Sequence, residues 1–152
     1  MKHKTWIALF SLLALLAGGQ IQDAWRLSRN IDPRATAYRT LGVWLRDNTP
    51  SEARVAALEV GMIGYYGERP MVDFSGLLQP DVAPRLAWQP SYEGAAQWAV
   101  ETYRPDYIVL CENQFPNLEQ VDIARQWQVK LHFSPEKLGG FPCAIDIYTC
   151  SY

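Results

Sequence analysis

The sequence has little of what marks several large functional classes. Its 152 residues include three cysteines and two histidines, and three cysteines are too few for a dense disulfide framework. Acidic and basic residues nearly balance, with 14 Lys and Arg against 16 Asp and Glu. Because no positive field is present to gather phosphates, we expect no nucleic-acid partner.

Motifs for several kinds of catalytic chemistry are also absent. No Gly-x-Ser-x-Gly occurs, so the sequence does not predict a serine nucleophile of that type. Gly61 and Gly64 are not followed by the Lys and Ser or Thr of a phosphate-binding P-loop. The three cysteines are separated by 32 and 7 residues, which matches no zinc site. The sequence therefore predicts neither a cofactor nor a metal.

One apolar run stands near the N-terminus, after a basic start at residues 1–4. It covers the fourteen residues 6–19 and is interrupted in polarity only by Ser11. This length fits the core of a signal peptide, about 7–15 residues, better than a bilayer span of about 20. Apolar residues up to Trp25 would extend a helix to the far interface, however. We expect residues 1–29 to form a cleaved signal peptide or a single transmembrane helix, with a buried helix as the third alternative.

The first two alternatives place residues 30–152 outside the cytoplasm, because a basic N-terminus stays inside and the following segment is drawn across. Four arginines behind the apolar run oppose this orientation: Arg26, Arg29, Arg34 and Arg39. The expected localisation is membrane-anchored or secreted, facing the extracytoplasmic side. The expected organisation is one leader over residues 1–29 and one extracytoplasmic α/β domain over residues 30–152.

Helical and strand patterns alternate through the second segment. Asp32-Pro33 predicts a helix start, with Asp as N-cap. The expected elements are helices over 32–47 and 91–103, strands over 54–59, 70–75 and 106–112, a loop over 80–90, a short helix over 118–125, and a hairpin of 127–133 with 144–148. This order predicts an α/β three-layer sandwich with a mixed sheet of about five strands, parallel in its first part and ending in an antiparallel hairpin.

Residues 58–81 form the most informative segment. A glycine-bearing turn after the first strand has the spacing of a short helix whose Ile63 faces the core. In open α/β sheets, ligands bind at the carboxyl ends of parallel strands. The candidate ligand-binding residues stand at two such ends and in the turn: Glu59, Tyr65, Tyr66 and Asp73.

Two interpretations are open for the role of each of these candidate residues. Glu59 and Asp73 form a pair of carboxylates for acid and base chemistry, or each caps a following turn through backbone N–H groups. Tyr65 and Tyr66 stack on a sugar ring or line a lipid path, or one packs in the core while the other lies on the surface. The sequence leaves both questions open.

The cysteines leave two states open as well. In an exported chain, one disulfide would tie the strand of Cys111 to the last strand. Cys143 and Cys150 cannot pair along one straight strand, because seven residues of strand span over about 20 Å against the roughly 6 Å that a disulfide needs. Three buried thiols are the alternative, and the pairing is not determined.

The same segment carries a resemblance to a known family. Its pattern is Glu-x-Gly-x-Ile-Gly-Tyr-Tyr over residues 59–66, followed by Arg-Pro-x-Val-Asp-x-x-Gly-Leu-Leu-x-Pro-Asp over residues 69–81. This resembles the extracytoplasmic C-terminal domain of bacterial GT-C type membrane glycosyltransferases, the mannosyltransferase-like enzymes that use polyprenyl-phosphate sugars. The resemblance covers about residues 30–150.

The resemblance implies a function without catalysis. In that family the transfer chemistry belongs to a multi-spanning membrane body, which needs many apolar runs of about 20 residues, and this chain has at most one. It therefore looks like an accessory or acceptor-binding module. Its expected partners are the membrane and a multi-spanning glycosyltransferase, or that enzyme's lipid-linked sugar or acceptor. The alternatives are a small exported hydrolase or transferase using Glu59 and Asp73, and a structural interaction domain that docks a membrane partner.

Overall fold

A computed structural model describes residues 2–29, 32–86, 92–120 and 127–151. The chain divides into two units, Met1–Asp32 and Pro33–Tyr152. The second unit begins at Pro33, the first residue of a helix.

The first unit is the helix α1 (Lys2–Arg29). Near its end, the guanidinium of Arg29 lies 3.5 Å from the centre of the Trp25 ring. The apolar run over residues 6–19 rises only about 21 Å in a helix, against about 30 Å of bilayer hydrocarbon. Among the described residues, no helix is both long enough and apolar enough to cross a membrane.

In the part of the chain that the structure describes, the second unit contains five α-helices and five strands. In chain order these are α2 (Pro33–Asn48), β1 (Val55–Ala57), α3 (Val60–Gly67), β2 (Met71–Asp73), α4 (Ala83–Leu86), α5 (Glu93–Tyr103), β3 (Tyr107–Cys111), α6 (Pro116–Gln120), β4 (Trp127–Phe133) and β5 (Ile145–Cys150), with a 3-10 turn at Pro135–Leu138 between the last two strands.

The strands form one mixed sheet in the order β2-β1-β3-β5-β4. β1 pairs in parallel with β2 and with β3. β5 runs antiparallel to β3 and to β4, with a bulge between Val129 and Leu131. The predicted α/β class, the mixed five-stranded sheet, its parallel first part and its final antiparallel hairpin are confirmed.

Hydrophobic clusters lie on both faces of the sheet. Val55 and Ala57 of β1 belong to one cluster with residues of α2 and α3, whereas Ala56 belongs to the other with residues of α5. This alternation follows from the two-residue period of a strand. The helix that follows β1, α3, packs on one face of the sheet, and the helix that precedes β3, α5, packs on the other. The chain connections therefore diverge between β1 and β3. In sheets of this kind a crevice opens at that point.

Two local expectations need comment. The loop expected over residues 80–90 is wrong at residues 83–86, where α4 forms. Pro84 lies in its first turn, where the missing N–H of proline costs nothing. The short helix expected over 118–125 begins earlier, at Pro116, and its second half lies outside the described residues. The expected short helix after β1 is α3, in which Ile63 is 2% exposed.

Candidate functional site

The crevice between the carboxyl ends of β1 and β3 is small. It holds a cavity of about 30 Å³ whose lining includes Tyr38, Glu59 and Gln114, enough for water but too small for a sugar ring. Glu59 is exposed at the N-cap of α3 and makes no capping hydrogen bond with its side chain. The side-chain oxygen of Gln114 accepts the N–H of Cys111 at 3.0 Å.

Asp73 is fully buried at the end of β2. Its carboxylate accepts hydrogen bonds from the N–H of Ser75 at 2.7 Å, from the Ser75 hydroxyl, from the N–H of Leu77, and from the N–H of Leu78 at 2.9 Å. Both carboxylate oxygens are therefore engaged in shaping the loop after β2. A group in this position has no surface with which to contact a substrate in solution.

The loop after β2 is held from a second side by Gln79. Its side-chain oxygen accepts the N–H of Asp73 at 2.7 Å, and its side-chain nitrogen donates to the carbonyl of Met71 at 2.9 Å. Asp73 thus caps the turn that follows it through backbone N–H groups. Glu59 is exposed and makes no capping hydrogen bond with its side chain. The two carboxylates do not form an exposed pair. The interpretation as an acid and base pair needs Asp73 to be accessible as well as Glu59, and Asp73 is buried.

Tyr65 lies on the exposed side of α3, whereas Tyr66 is half-buried where α3 meets α2. Tyr65 is 77% exposed, and its ring meets the ring of Tyr66 at 5.0 Å between centres and an angle of 84°. The guanidinium of Arg39, on α2, lies 5.5 Å from the centre of the Tyr66 ring. We call Arg39, Tyr65 and Tyr66 the aromatic ledge. It offers an exposed ring, two phenols and a cation at one place.

The position of the ledge depends on the close approach of α2 and α3 at Gly42. A Cβ atom at this position would lie 2.7 Å from the Cβ of Tyr66 and 2.9 Å from the carbonyl oxygen of Ile63. Gly67, across the contact, is also buried. Absence of a side chain at Gly42 therefore sets how near Tyr66 comes to α2 and to Arg39.

The structure joins Cys111, at the end of β3, to Cys143, just before β5, in a disulfide. The Cα atoms are 5.8 Å apart, within the usual range. Cys150 lies at the far end of β5 and is not part of this bond. Of the two states left open by the sequence, the structure has the one with a single disulfide between the strand of Cys111 and the last strand.

Reduction of the disulfide is expected to lower the free energy of unfolding by about 2–4 kcal/mol, because the bond restricts the unfolded chain over a separation of 32 residues. Urea unfolding of the protein with and without reductant measures this. A Cys150→Ser variant is the control and should show the same difference. An unchanged midpoint on reduction would contradict the bond.

Arg69 is a structural residue that sequence reasoning missed. Its guanidinium donates to the carbonyls of Arg46, Thr49, Gly67 and Glu68 and to the Thr49 hydroxyl, at 2.5–3.3 Å. These acceptors lie at the ends of α2 and α3. The arginine of the Arg-Pro pair thus ties together the two helices that carry the ledge. No local pattern signals this, because the acceptors on Arg46 and Thr49 are 20–23 residues away in sequence.

His132 and Asp146 form a side-chain pair that the sequence analysis did not predict. They lie opposite each other on β4 and β5, with 2.7 Å between the histidine Nδ1 and a carboxylate oxygen. Strand register, not sequence distance, brings them together. Neither this pair nor any other part of the described chain forms a group of three or more His, Cys, Asp or Glu side chains that could hold a metal.

Comparison with protein families places residues 23–149 in a family. The family is described as a domain of unknown function, DUF8728, and its model matches residues 23–149. The chain belongs to this family. The matched region contains the aromatic ledge, the Asp73 loop and the sheet except Cys150, the last residue of β5. No curated protein and no solved structure matches the chain.

Proposed function

We propose that this chain is an extracytoplasmic binding module related to the C-terminal domain of membrane glycosyltransferases that use polyprenyl-phosphate sugars. In this proposal the aromatic ledge holds the glycan acceptor, and a separate multi-spanning partner performs the transfer. The architecture assumed is a three-layer sandwich with helices on both faces of the sheet. In sequence it is preceded by an apolar helix. The motif over residues 59–81 supports the relationship.

The observation that carries the proposal is the exposed ring of Tyr65, fixed against Tyr66. Tyrosine supplies a large rigid contact area together with a polar tip. The C–H face of a sugar can stack on such a ring, while the phenols and the Arg39 guanidinium reach its hydroxyls. A charged donor also favours acidic sugars, since guanidinium pairs with carboxylates in two hydrogen bonds.

The disulfide between Cys111 and Cys143 supports an extracytoplasmic location. Structural disulfides persist in oxidising surroundings and are rare in the cytosol. The basic start and apolar run over residues 1–19 are typical of chains that are exported or associated with a membrane. Both features fit a location on the extracytoplasmic side, at or near the membrane of the proposed partner.

The enzymatic alternative has less in its favour. It needs Glu59 and Asp73 to act together, but Asp73 is fully buried and engaged by four donors. Incubation of the purified chain with a polyprenyl-phosphate sugar and an oligosaccharide acceptor should therefore give no product. Turnover by the purified chain would overturn the proposal of a non-catalytic module.

A glycan titration tests the binding role. Short mannose, glucose, arabinose and uronic-acid oligosaccharides are titrated against the full chain by calorimetry. For the tightest ligand, Tyr65→Ala should weaken binding by about fivefold or more, the effect of losing roughly 1 kcal/mol of ring contact. Tyr92→Ala is the matched control, because Tyr92 is also exposed but lies at the start of α5.

The titration also decides between the proposal and its rivals. Equal affinities of the wild type and Tyr65→Ala, or no binding of any oligosaccharide, would contradict the acceptor-binding role. In the second case, co-purification with a membrane protein in detergent would favour the structural interaction domain instead.

A further inference from the structure

The loop after β2 exposes two adjacent leucines. Leu77 is 82% and Leu78 is 55% exposed, although large apolar side chains gain free energy when removed from water. Leu77 and Leu78, which we call the leucine tip, are neighbours in sequence and lie in the middle of the loop between β2 and α4 rather than along a helix or strand face.

The loop is held by hydrogen bonds on its inner side in spite of its exposure. The buried Asp73 carboxylate and the Gln79 side chain hold it from inside. Gly76 adopts a left-handed backbone with φ +75°, and a Cβ there would lie 2.7 Å from the backbone nitrogen of Ala83. The buried Asp73 side chain thus holds the loop in the conformation that exposes Leu77 and Leu78.

The chemistry of the tip suits a lipid phase. Backbone N–H groups that enter hydrocarbon need partners within the protein, and the N–H groups of Leu77 and Leu78 already donate to Asp73. The segment from residue 74 to residue 80 contains no charged residue. Within residues 74–80, insertion would strip water from no charged side chain and would leave both leucine donors satisfied.

We infer that the leucine tip inserts into the surface of a phospholipid bilayer and sets which side of the domain faces the membrane. This rests on the location at a membrane that the proposed function assumes, but not on glycan binding. A fluid lipid surface accepts two adjacent exposed leucines without a preformed pocket.

Vesicle binding tests this inference on the full chain. Sedimentation with vesicles of phosphatidylcholine and phosphatidylglycerol should show at least about tenfold weaker partitioning for the Leu77→Ser/Leu78→Ser variant. Val129→Ser is the matched control, since Val129 is 56% exposed on β4, and it should bind like the wild type. Unchanged partitioning of the double variant would overturn the inference.

A fluorescent probe separates the tip from other lipid-binding parts of the chain. In a Cys150→Ser background, a nitrobenzoxadiazole group on Leu77→Cys should shift to the blue with vesicles and be quenched by brominated lipid. The same group on Val129→Cys should do neither. A probe at 77 that stays in water, or equal shifts at both positions, would refute insertion. The Leu77→Ser/Leu78→Ser variant should keep its oligosaccharide affinity, so failure here leaves the proposed function standing.

Discussion

Replacement of Asp73 by alanine is expected to destabilise the second unit by about 3–5 kcal/mol. The change leaves the N–H groups of Ser75, Leu77 and Leu78 without the acceptor that they have now. Each unsatisfied buried donor costs about 1–3 kcal/mol, and such costs are not fully additive. Urea unfolding followed by circular dichroism measures the loss as a lower midpoint.

Two further variants control this result. Asp73→Asn keeps the shape and one acceptor oxygen and should fall between the wild type and Asp73→Ala. Glu59→Gln changes an exposed carboxylate and should shift stability by less than about 0.5 kcal/mol. If Asp73→Ala unfolded at the same urea concentration as the wild type, the anchoring role would be wrong and an acid or base role for Asp73 would have to be reconsidered.

Gly42→Ala is expected to destabilise the second unit by about 3 kcal/mol or more, because overpacking against backbone has little room to relax. The added Cβ would lie 2.9 Å from the carbonyl oxygen of Ile63 and 3.0 Å from the nitrogen of Gly67. To make room, α2 and α3 must move apart. We therefore also expect weaker oligosaccharide binding, since Tyr66 would separate from Arg39. Thermal unfolding and the glycan titration measure the two effects.

Gly61→Ala is the matched control for this prediction. Gly61 lies in the first turn of α3, is exposed, and would place its Cβ where nothing lies within 4 Å. Alanine is the better helix former by roughly 1 kcal/mol, so this variant should be as stable as the wild type or more so. Similar losses for Gly42→Ala and Gly61→Ala would show that the close approach of the helices is not the cause.

Much of the fold could be predicted because its signals are local. The continuous apolar run before Glu112 predicts a buried strand, and β3 forms there. Asp32-Pro33 predicts a helix start, and α2 begins at Pro33. The alternation over residues 127–133 matches β4 residue for residue. In each case the pattern and the element occupy the same few residues.

The candidate site was harder to predict because its geometry depends on tertiary packing. Nothing next to Asp73 in sequence shows that its carboxylate turns inward to a loop. Arg39 comes from another helix to meet Tyr66, and it does so only because Gly42 lets the helices approach. The partner of Cys111 likewise depends on the register between β3 and β5. Residue types indicated candidates, but their roles depended on contacts between distant segments.

The most direct test of the account is a nuclear magnetic resonance titration of the full chain with the tightest-binding oligosaccharide. The account predicts that the largest chemical-shift changes occur at Arg39, Tyr65 and Tyr66, and that Glu59 and Gln114 change little. Largest changes at Glu59 and Gln114 would place the ligand in the crevice instead of on the ledge, and no change at any residue would contradict glycan binding altogether.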